Sequence, residues 1–159
     1  MYSASYNIGI DISSLADDLN RFSTELRNKI IKDAVKAASV PIEQVFRQIA
    51  RTHRSKPIQV FKKDGTPRKH FADSIKTKIW VSSDHETTKA IIGPTAFDAP
   101  HAHFLEDGTV YRFHKSGHPT GAVRPFFVLS TTFQASFYAA EAAFLSSLKA
   151  GIESFNNQI

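Results

Sequence analysis

The sequence has no cysteine among its 159 residues. This absence excludes a disulfide scaffold, a thiolate zinc site and a cysteine nucleophile. The chain also has no apolar run approaching the roughly 20 residues that a membrane-spanning helix needs. Residues 1–11 contain no Lys or Arg and no long apolar stretch, so we expect no secretory signal. These three absences favour a protein that is made and used in a cytoplasm, or in a particle assembled there.

The sequence lacks the common catalytic and nucleotide-binding motifs as well. It has no Gly-x-Ser-x-Gly nucleophile turn, no Gly-x-x-x-x-Gly-Lys-Ser/Thr phosphate loop and no dinucleotide fingerprint. Seven histidines are present, and His101, His103, His114 and His118 lie close together with Glu106. A metal site needs three or four converging ligands, and within the predicted short helix only His103 and Glu106 have helical spacing. We therefore expect no catalytic residue, no metal ligand and no cofactor, and treat a metal-assisted hydrolase as the weakest hypothesis.

Hydrophobic residues make up 42% of the chain and charged residues 22%, values ordinary for a folded protein. The length suits one domain spanning residues 1–159, with 1–11 as an N-terminal tail. A domain of about this size buries roughly 70% of the surface of its unfolded chain, so it can form a core without metals or disulfides.

The net charge of +5 is concentrated in one segment. Residues 47–78 contain ten Lys and Arg residues against Asp64 and Asp73, a net charge of +8, so the rest of the chain carries −3. Two prolines and an Asp64-Gly65 turn signal predict a projecting loop or hairpin arm over 54–70. Clustered like charges need counter-charge, which indicates contact with phosphates or an acidic protein; the alternative is a solvated loop. The candidate contact residues are Arg51, Arg54, Lys56, Lys62, Lys63, Arg68 and Lys69.

Two long amphipathic helices are predicted at the two ends of the chain. Ser14 and Asp17 have capping-box spacing, and apolar residues recur on one face from Leu15 to Ala34. The pattern resumes after Pro41, so the helix is either kinked there or followed by a second helix that ends near 51–53. At the other end, apolar residues step by three or four from Leu129 to Ile152, and the phenylalanines among them should bury large areas.

Strand periodicity occupies the middle of the chain. Alternation over 75–82 and a second run over 88–92, joined by a polar turn, predict an antiparallel hairpin that closes at Gly93-Pro94. A short helix capped by Asp98 should end at Asp107-Gly108, where glycine can adopt the left-handed conformation. Residues 110–121 should form a second loop or hairpin arm. The fold class expected is α+β, a small antiparallel sheet packed by the long N-terminal and C-terminal helices.

Four short stretches, 71–75, 91–94, 103–109 and 124–127, occur in an order and spacing that resemble a known family. This family is the gene product ten-like head-to-tail joining proteins of long-tailed bacteriophages, also called neck or tail-completion proteins. The similarity covers roughly residues 12–155. The residues that match the family motifs are Gly93, Glu106, Gly108, Thr109, Arg124, Pro125 and Phe126. We expect them to be structural: 106–109 would cap and turn the short helix, and Pro125 with Phe126 and Phe127 would fix the last helix on the sheet.

The resemblance implies a structural virion protein of the phage neck, assembled in the host cytoplasm. Its subunits would form a closed ring, of six copies by analogy with the tail tube, through a head-to-tail interface. The ring would join the head connector or stopper to the tail terminator or tail tube, continue the DNA channel and allow backbone contact with the genome. The alternative is a cytoplasmic nucleic-acid-binding module that uses residues 47–78 without reading base sequence. No helix-turn-helix or other base-reading motif is evident.

Overall fold

A computed structural model describes residues 9–11, 13–20, 22–52, 65, 71–83, 87–95 and 103–156, without the side chains of residues 14, 17, 103 and 156. The described part is a small α+β fold. Its elements in chain order are α1 (Ser13–Asn20), α2 (Thr24–Thr52), a 3-10 turn (Phe71–Ser74), β1 (Ile75–Val81), β2 (Thr88–Pro94), α3 (His103–Asp107), β3 (Arg112–Phe113), β4 (Pro119–Gly121) and α4 (Val128–Asn156). The predicted tail over 1–8 and most of the 54–70 arm lie outside the described residues.

The helix predicted to start at Ser14 is two helices. The first begins one residue earlier, where the Asp11 carboxylate accepts a hydrogen bond from the Ser13 amide at 2.9 Å. A break around residue 22 follows, and Ser23 Oγ accepts a hydrogen bond from the Leu26 amide at 3.4 Å at the start of α2. The prediction of one uninterrupted helix was wrong because serine at an N-cap starts a new helix. The break lets α1 turn back so that Leu19 packs in the core with Leu148.

The second helix is continuous through Pro41 and ends at Thr52. Of the two predicted alternatives, a single helix is therefore correct, and its end falls in the predicted window. Proline removes one helical hydrogen bond. Burial of Ala34 on one side of Pro41 and of Phe46 on the other holds the helix together across this gap.

The last helix packs antiparallel against α2, since its C-terminal Ile152 lies with Ile30 and its N-terminal Val128 lies with Phe46. Its buried residues follow a four-residue repeat that is interrupted at the half-buried Phe144: Val128, Thr132, Ser136, Ala140, Leu148 and Ile152. From Ala140 onward the predicted row is confirmed, because Ala140, Leu148 and Ile152 are buried. In the first half of α4 the buried row lies one position before the predicted one, so Phe133 and Phe137 are only half-buried. The expectation that these phenylalanines fill the core was wrong because the two helices approach closely over small residues.

One contact near the C-terminus of α4 shows how close this approach is. A Cβ atom on Gly151 would lie 2.9 Å from Cγ2 of Ile30, closer than real Cβ contacts. In the middle of the interface, Thr132 and Ser136 each donate a hydrogen bond of 2.7 Å to a carbonyl of their own helix. Their hydroxyls are thereby satisfied within their own helix, and these two buried polar residues lie along α4 between the residues of the two apolar clusters.

The first hairpin has the predicted strands, turn and orientation. Strands β1 and β2 pair antiparallel with Ile75 opposite Pro94 and Val81 opposite Thr88. The turn is closed by a 2.8 Å hydrogen bond from the Ser82 amide to the Thr87 carbonyl. Ile75 is fully buried against α2, whereas alternate residues such as Lys76 and Lys78 are exposed. One face of this two-stranded sheet therefore covers the core and the other faces solvent.

The short helix and the second arm follow. Helix α3 ends before Gly108, whose φ of 71° confirms the predicted left-handed glycine. Its predicted cap, Asp98, lies outside the described residues. Residues 110–121 form a second antiparallel hairpin, β3 with β4, so the hairpin alternative holds for this segment.

Candidate interaction surfaces

A junction between α3, the second hairpin and α4 is built around Glu106. Its side chain is 7% exposed, and Oε2 accepts a hydrogen bond of 2.7 Å from the Leu129 amide in the first turn of α4. A helix leaves its first amides without partners, and a carboxylate there also interacts favourably with the helix dipole. Phe127, which precedes the helix, has no side-chain oxygen to serve as a cap. Glu106 supplies that oxygen from 23 residues away.

One expectation about Glu106 was therefore wrong. It caps the last helix and not the short helix that contains it, because the side chain reaches across the junction. Glu106 is also buried. Asp107 alone is exposed.

Gly108 and Thr109 close the same junction. The Thr109 amide donates a 2.9 Å hydrogen bond to the Val123 carbonyl, and the Val123 amide donates one of 2.9 Å back to Thr109 Oγ1. A Cβ on Gly108 would lie 2.8 Å from the Val123 carbonyl oxygen and 2.9 Å from Pro125. Glycine is needed here both for its positive φ and for this close approach. The structure thus brings Glu106, Gly108, Thr109 and Pro125 together.

The other motif residues have different surroundings. Gly93 lies in β2 opposite Lys76, away from the junction, with open space where a Cβ would be. Arg124 is exposed. The Phe126 amide donates a 2.8 Å hydrogen bond to the Leu105 carbonyl, but its side chain is 43% exposed. The expectation that Phe126 and Phe127 pack the last helix onto the sheet was wrong, because they are 43% and 56% exposed and neither belongs to the core cluster that contains β1.

Phe127 is the one non-glycine residue of the described part with a positive φ, 51°. The left-handed conformation costs an L-residue with a Cβ roughly 1 to 2 kcal/mol. Its carbonyl accepts hydrogen bonds from the Thr131 amide and Ser130 Oγ, so it starts the helix ladder. Its ring is nevertheless 56% exposed. The fold holds a large apolar side chain outward in a strained conformation, a combination that often marks a functional position.

Exposed apolar side chains concentrate at this end of the molecule. Val110, Tyr111 and Phe113 of the second hairpin are 81%, 59% and 66% exposed. The rings of Tyr111 and Phe113 lie 5.3 Å apart in an edge contact. Residues 108–140 contain no Asp or Glu, while Arg112, Lys115 and Arg124 supply positive charge. We call residues 110–127 the aromatic end, an exposed surface that is both apolar and cationic.

The opposite end of the α2–α4 pair includes the acidic helix α1. This helix contains two aspartates and no Lys or Arg, and Asp11 lies just before it. The Ser13 backbone amide, and then the Ser13 side chain, hold the pKa of Asp11 below its usual value by hydrogen bonding, so this carboxylate is charged at neutral pH. A groove of about 380 Å³ lies between α1 and α4. We call this the acidic groove, and it is lined by Leu15, Asp18, Lys149, Ile152 and Glu153.

A third surface is the outer face of the first hairpin. Lys76, Lys78 and Trp80 lie on β1, and register places Lys78 opposite Ile91 and Trp80 opposite Lys89. The Lys89 ammonium lies 4.3 Å from the centre of the Trp80 ring. Three lysines with a tryptophan form a basic face with one aromatic ring, the composition of surfaces that contact phosphates.

The basic segment 47–78 is partly structural. Arg47 donates hydrogen bonds to the Ile75 carbonyl at 2.6 Å and to Glu43 Oε1 at 2.8 Å. The second oxygen of Glu43 accepts a hydrogen bond from the Thr77 hydroxyl, and this bond is the main cause that lowers the Glu43 pKa. Burial opposes the shift and Arg47 adds to it. Arg47 thus joins α2 to β1 and has a structural role in the fold.

Of the predicted arm residues, Arg51 is at the end of α2 and forms an exposed ion pair with Asp73 at 3.4 Å. The remaining candidates lie outside the described residues: Arg54, Lys56, Lys62, Lys63, Arg68 and Lys69. Sequence reasoning missed the aromatic end as a surface. Two features of the sequence indicate this surface: residues 108–140 contain no Asp or Glu, and hydrophobic residues flank the predicted second loop.

Within the described residues, no three side chains of His, Asp or Glu are grouped so that they could hold a metal ion. His114 Nδ1 lies 2.9 Å from Ser116 Oγ in the turn of the second hairpin, and His118 is exposed nearby. In the same ranges, no helix is both long enough and apolar enough to cross a membrane. Comparison with family models, with curated proteins and with solved structures gives no match to this chain.

Proposed function

We propose that this protein is a structural component of a phage neck, a ring subunit that joins the head connector to the tail tube and continues the DNA channel. The observation that carries the proposal is the aromatic end. Soluble monomers rarely expose several neighbouring aromatic side chains, and larger exposed apolar patches mark interaction sites. Here the exposed aromatic side chains lie on the second hairpin, whose base is fixed by backbone and side-chain hydrogen bonds at Thr109.

The motif residues add support from the sequence side. Glu106, Gly108, Thr109 and Pro125 belong to the sequence motifs that resemble the neck family. In the fold they meet at one junction, where Glu106 caps α4, Thr109 bonds to Val123, and Gly108 allows the close approach of Pro125. Their shared task is to start α4 and to present residues 110–127. A motif whose job is to position a surface suits an assembly subunit better than an enzyme.

Two measurements test this function. Electron microscopy of the purified protein should reveal closed rings, and mass spectrometry of purified phage particles encoding the gene should detect the chain in a small, fixed copy number. A protein that stays monomeric at every concentration and is absent from particles contradicts the proposal. The neighbouring genes give an independent check, because portal, capsid and tail-tube genes should lie alongside.

The basic outer face of the first hairpin favours a second candidate, a module that binds nucleic acid without reading its sequence. Lys76, Lys78 and Lys89 would contact phosphates while Trp80 offers one stacking surface. The test is a binding curve on duplex DNA at several salt concentrations. Phosphate contacts release counterions, so affinity should fall steeply as salt rises. Absence of binding at low salt removes this candidate and leaves the neck proposal standing.

A further inference from the structure

We infer that the ring interface is a head-to-tail contact in which the aromatic end of one copy docks on the acidic groove of the next copy. This inference rests on the proposed function and deepens it by naming the two surfaces and the partner. The partner is a second copy of this chain, because the two surfaces complement each other in charge and in polarity.

The first step of the argument is charge. The aromatic end carries Arg112, Lys115 and Arg124 within a 33-residue stretch that has no acid. Asp18 and Glu153 line the groove together with one cation, Lys149. Helix α1 contains two aspartates and no Lys or Arg. Surfaces of opposite sign at contacting positions favour encounter and suppress wrong pairings.

The second step is polarity. The aromatic end exposes Tyr111, Phe113 and Phe127 by more than half of their surface. The groove offers apolar contact from Leu15, which is half-buried, and lies over the buried side chain of Ile152. Aromatic side chains that enter a groove bordered by charge are typical of the residues that dominate binding energy at protein interfaces.

The third step is geometry. The aromatic end lies at the N-terminus of α4, and the groove lies beside Ile152 near its C-terminus. A helix rises 1.5 Å per residue, so these points are separated by roughly 36 Å along α4. One copy cannot fold its own aromatic end onto its own groove across a helix of that length. The contact must therefore join two copies through different surfaces, and such an interface repeats until a ring closes or a filament grows.

Charge-reversal variants of the full chain test the inference by sedimentation velocity. The hairpin variant is Lys115→Glu with Arg124→Glu, both at exposed positions, and the groove variant is Asp18→Lys with Glu153→Lys. Each variant alone should assemble at least tenfold more weakly than the unchanged protein, because like charges then face each other at every junction. An equimolar mixture of the two should regain assembly, since each hairpin then meets a groove of opposite charge. The four substitutions in one chain should regain it too.

Controls separate the possible failures. Lys32→Glu with Lys36→Glu reverses two exposed charges on α2 and should leave assembly unchanged. Circular dichroism checks the fold of every variant, and Glu153→Lys alone replaces the groove variant if Asp18→Lys disturbs α1. Three results would overturn the inference while the ring itself stands. These are unchanged assembly of both variants, failure of the mixture to recover assembly, or an equal loss of assembly in the α2 control. A monomeric unchanged protein overturns the ring and the inference together.

Discussion

Replacement of Glu106 by alanine should lower the free energy of unfolding by about 2 to 3 kcal/mol. The change removes the acceptor of the Leu129 amide, a 2.7 Å bond to a side chain that is 7% exposed. Hydrogen bonds to a charged group contribute about 1.5 to 3 kcal/mol. The carboxylate also contributes about 0.3 to 1 kcal/mol through the helix dipole, part of which is already included in the hydrogen bond.

Two companion variants make the reasoning specific. Glu106→Gln retains an acceptor oxygen and loses only the charge, so about half of the stability loss should remain. Asp107→Ala alters the neighbouring carboxylate, which is exposed, and should change stability by no more than about 0.5 kcal/mol. Chemical denaturation followed by circular dichroism gives all three values.

Amide hydrogen exchange locates the effect. If Glu106 caps α4, the Leu129 amide and those of the next turn should exchange faster in Glu106→Ala, while amides near Ala140 should change only with global stability. Equal stability of Glu106→Ala and Asp107→Ala would refute the role of Glu106 as a helix cap. So would a uniform change in exchange along the whole of α4.

Three further changes test other parts of the structure. Gly108→Ala should destabilise the protein by about 2 to 4 kcal/mol, because a positive φ costs alanine roughly 1 to 2 kcal/mol and the new Cβ meets the Val123 carbonyl oxygen. Gly117 has a φ of 83° and open space around it, so Gly117→Ala should show only the cost of the positive φ in the same denaturation assay. Phe127→Gly should raise stability by up to about 1 kcal/mol, since relief of the left-handed strain exceeds the added entropy of the unfolded chain. The same variant should weaken ring assembly in sedimentation, because it removes an exposed aromatic ring. Reduced stability would contradict the strain argument. The folded pKa of Glu43 lies below its ordinary value of 4.5. Its contribution to stability is therefore fully present above pH 4.5 and is lost as the pH falls through the lowered value. Thr77→Val should flatten this loss of stability in acid, measured by denaturation curves from about pH 3 to pH 7, and an unchanged slope would contradict the argument.

The elements that depend on local pattern were predictable. Alternation over 75–82 with a polar turn predicts β1 and β2 correctly, because successive side chains of a strand point to opposite faces whatever the rest of the chain does. The left-handed Gly108 followed in the same way from the chemistry of glycine at a helix end. The four motif stretches also marked the residues of the α3–α4 junction, although their individual roles differed from expectation.

The misplacements have one common origin, which is contact between residues distant in sequence. Periodicity identifies an apolar side of α4 but not its contact line with α2, which shifts toward Thr132 and Ser136 because small residues allow the helices to approach. In the sequence, Arg47 is one more cation of a basic segment. Its hydrogen bonds to Glu43 and to the Ile75 carbonyl, which join α2 to β1, exist only in the folded chain.

The sequence by itself determined the α+β class, the two long helices, the first hairpin and the uneven distribution of charge. These follow from the spacing and type of neighbouring residues, which act over one or two turns of chain. Only the tertiary structure decided that Glu106 caps a helix 23 residues away and that Phe127 faces solvent in a strained conformation. It also decided that the cationic aromatic end and the acidic groove lie at opposite ends of α4. Hydrogen bonds and burial depend on distances in space, and those distances exist only once the helices have packed.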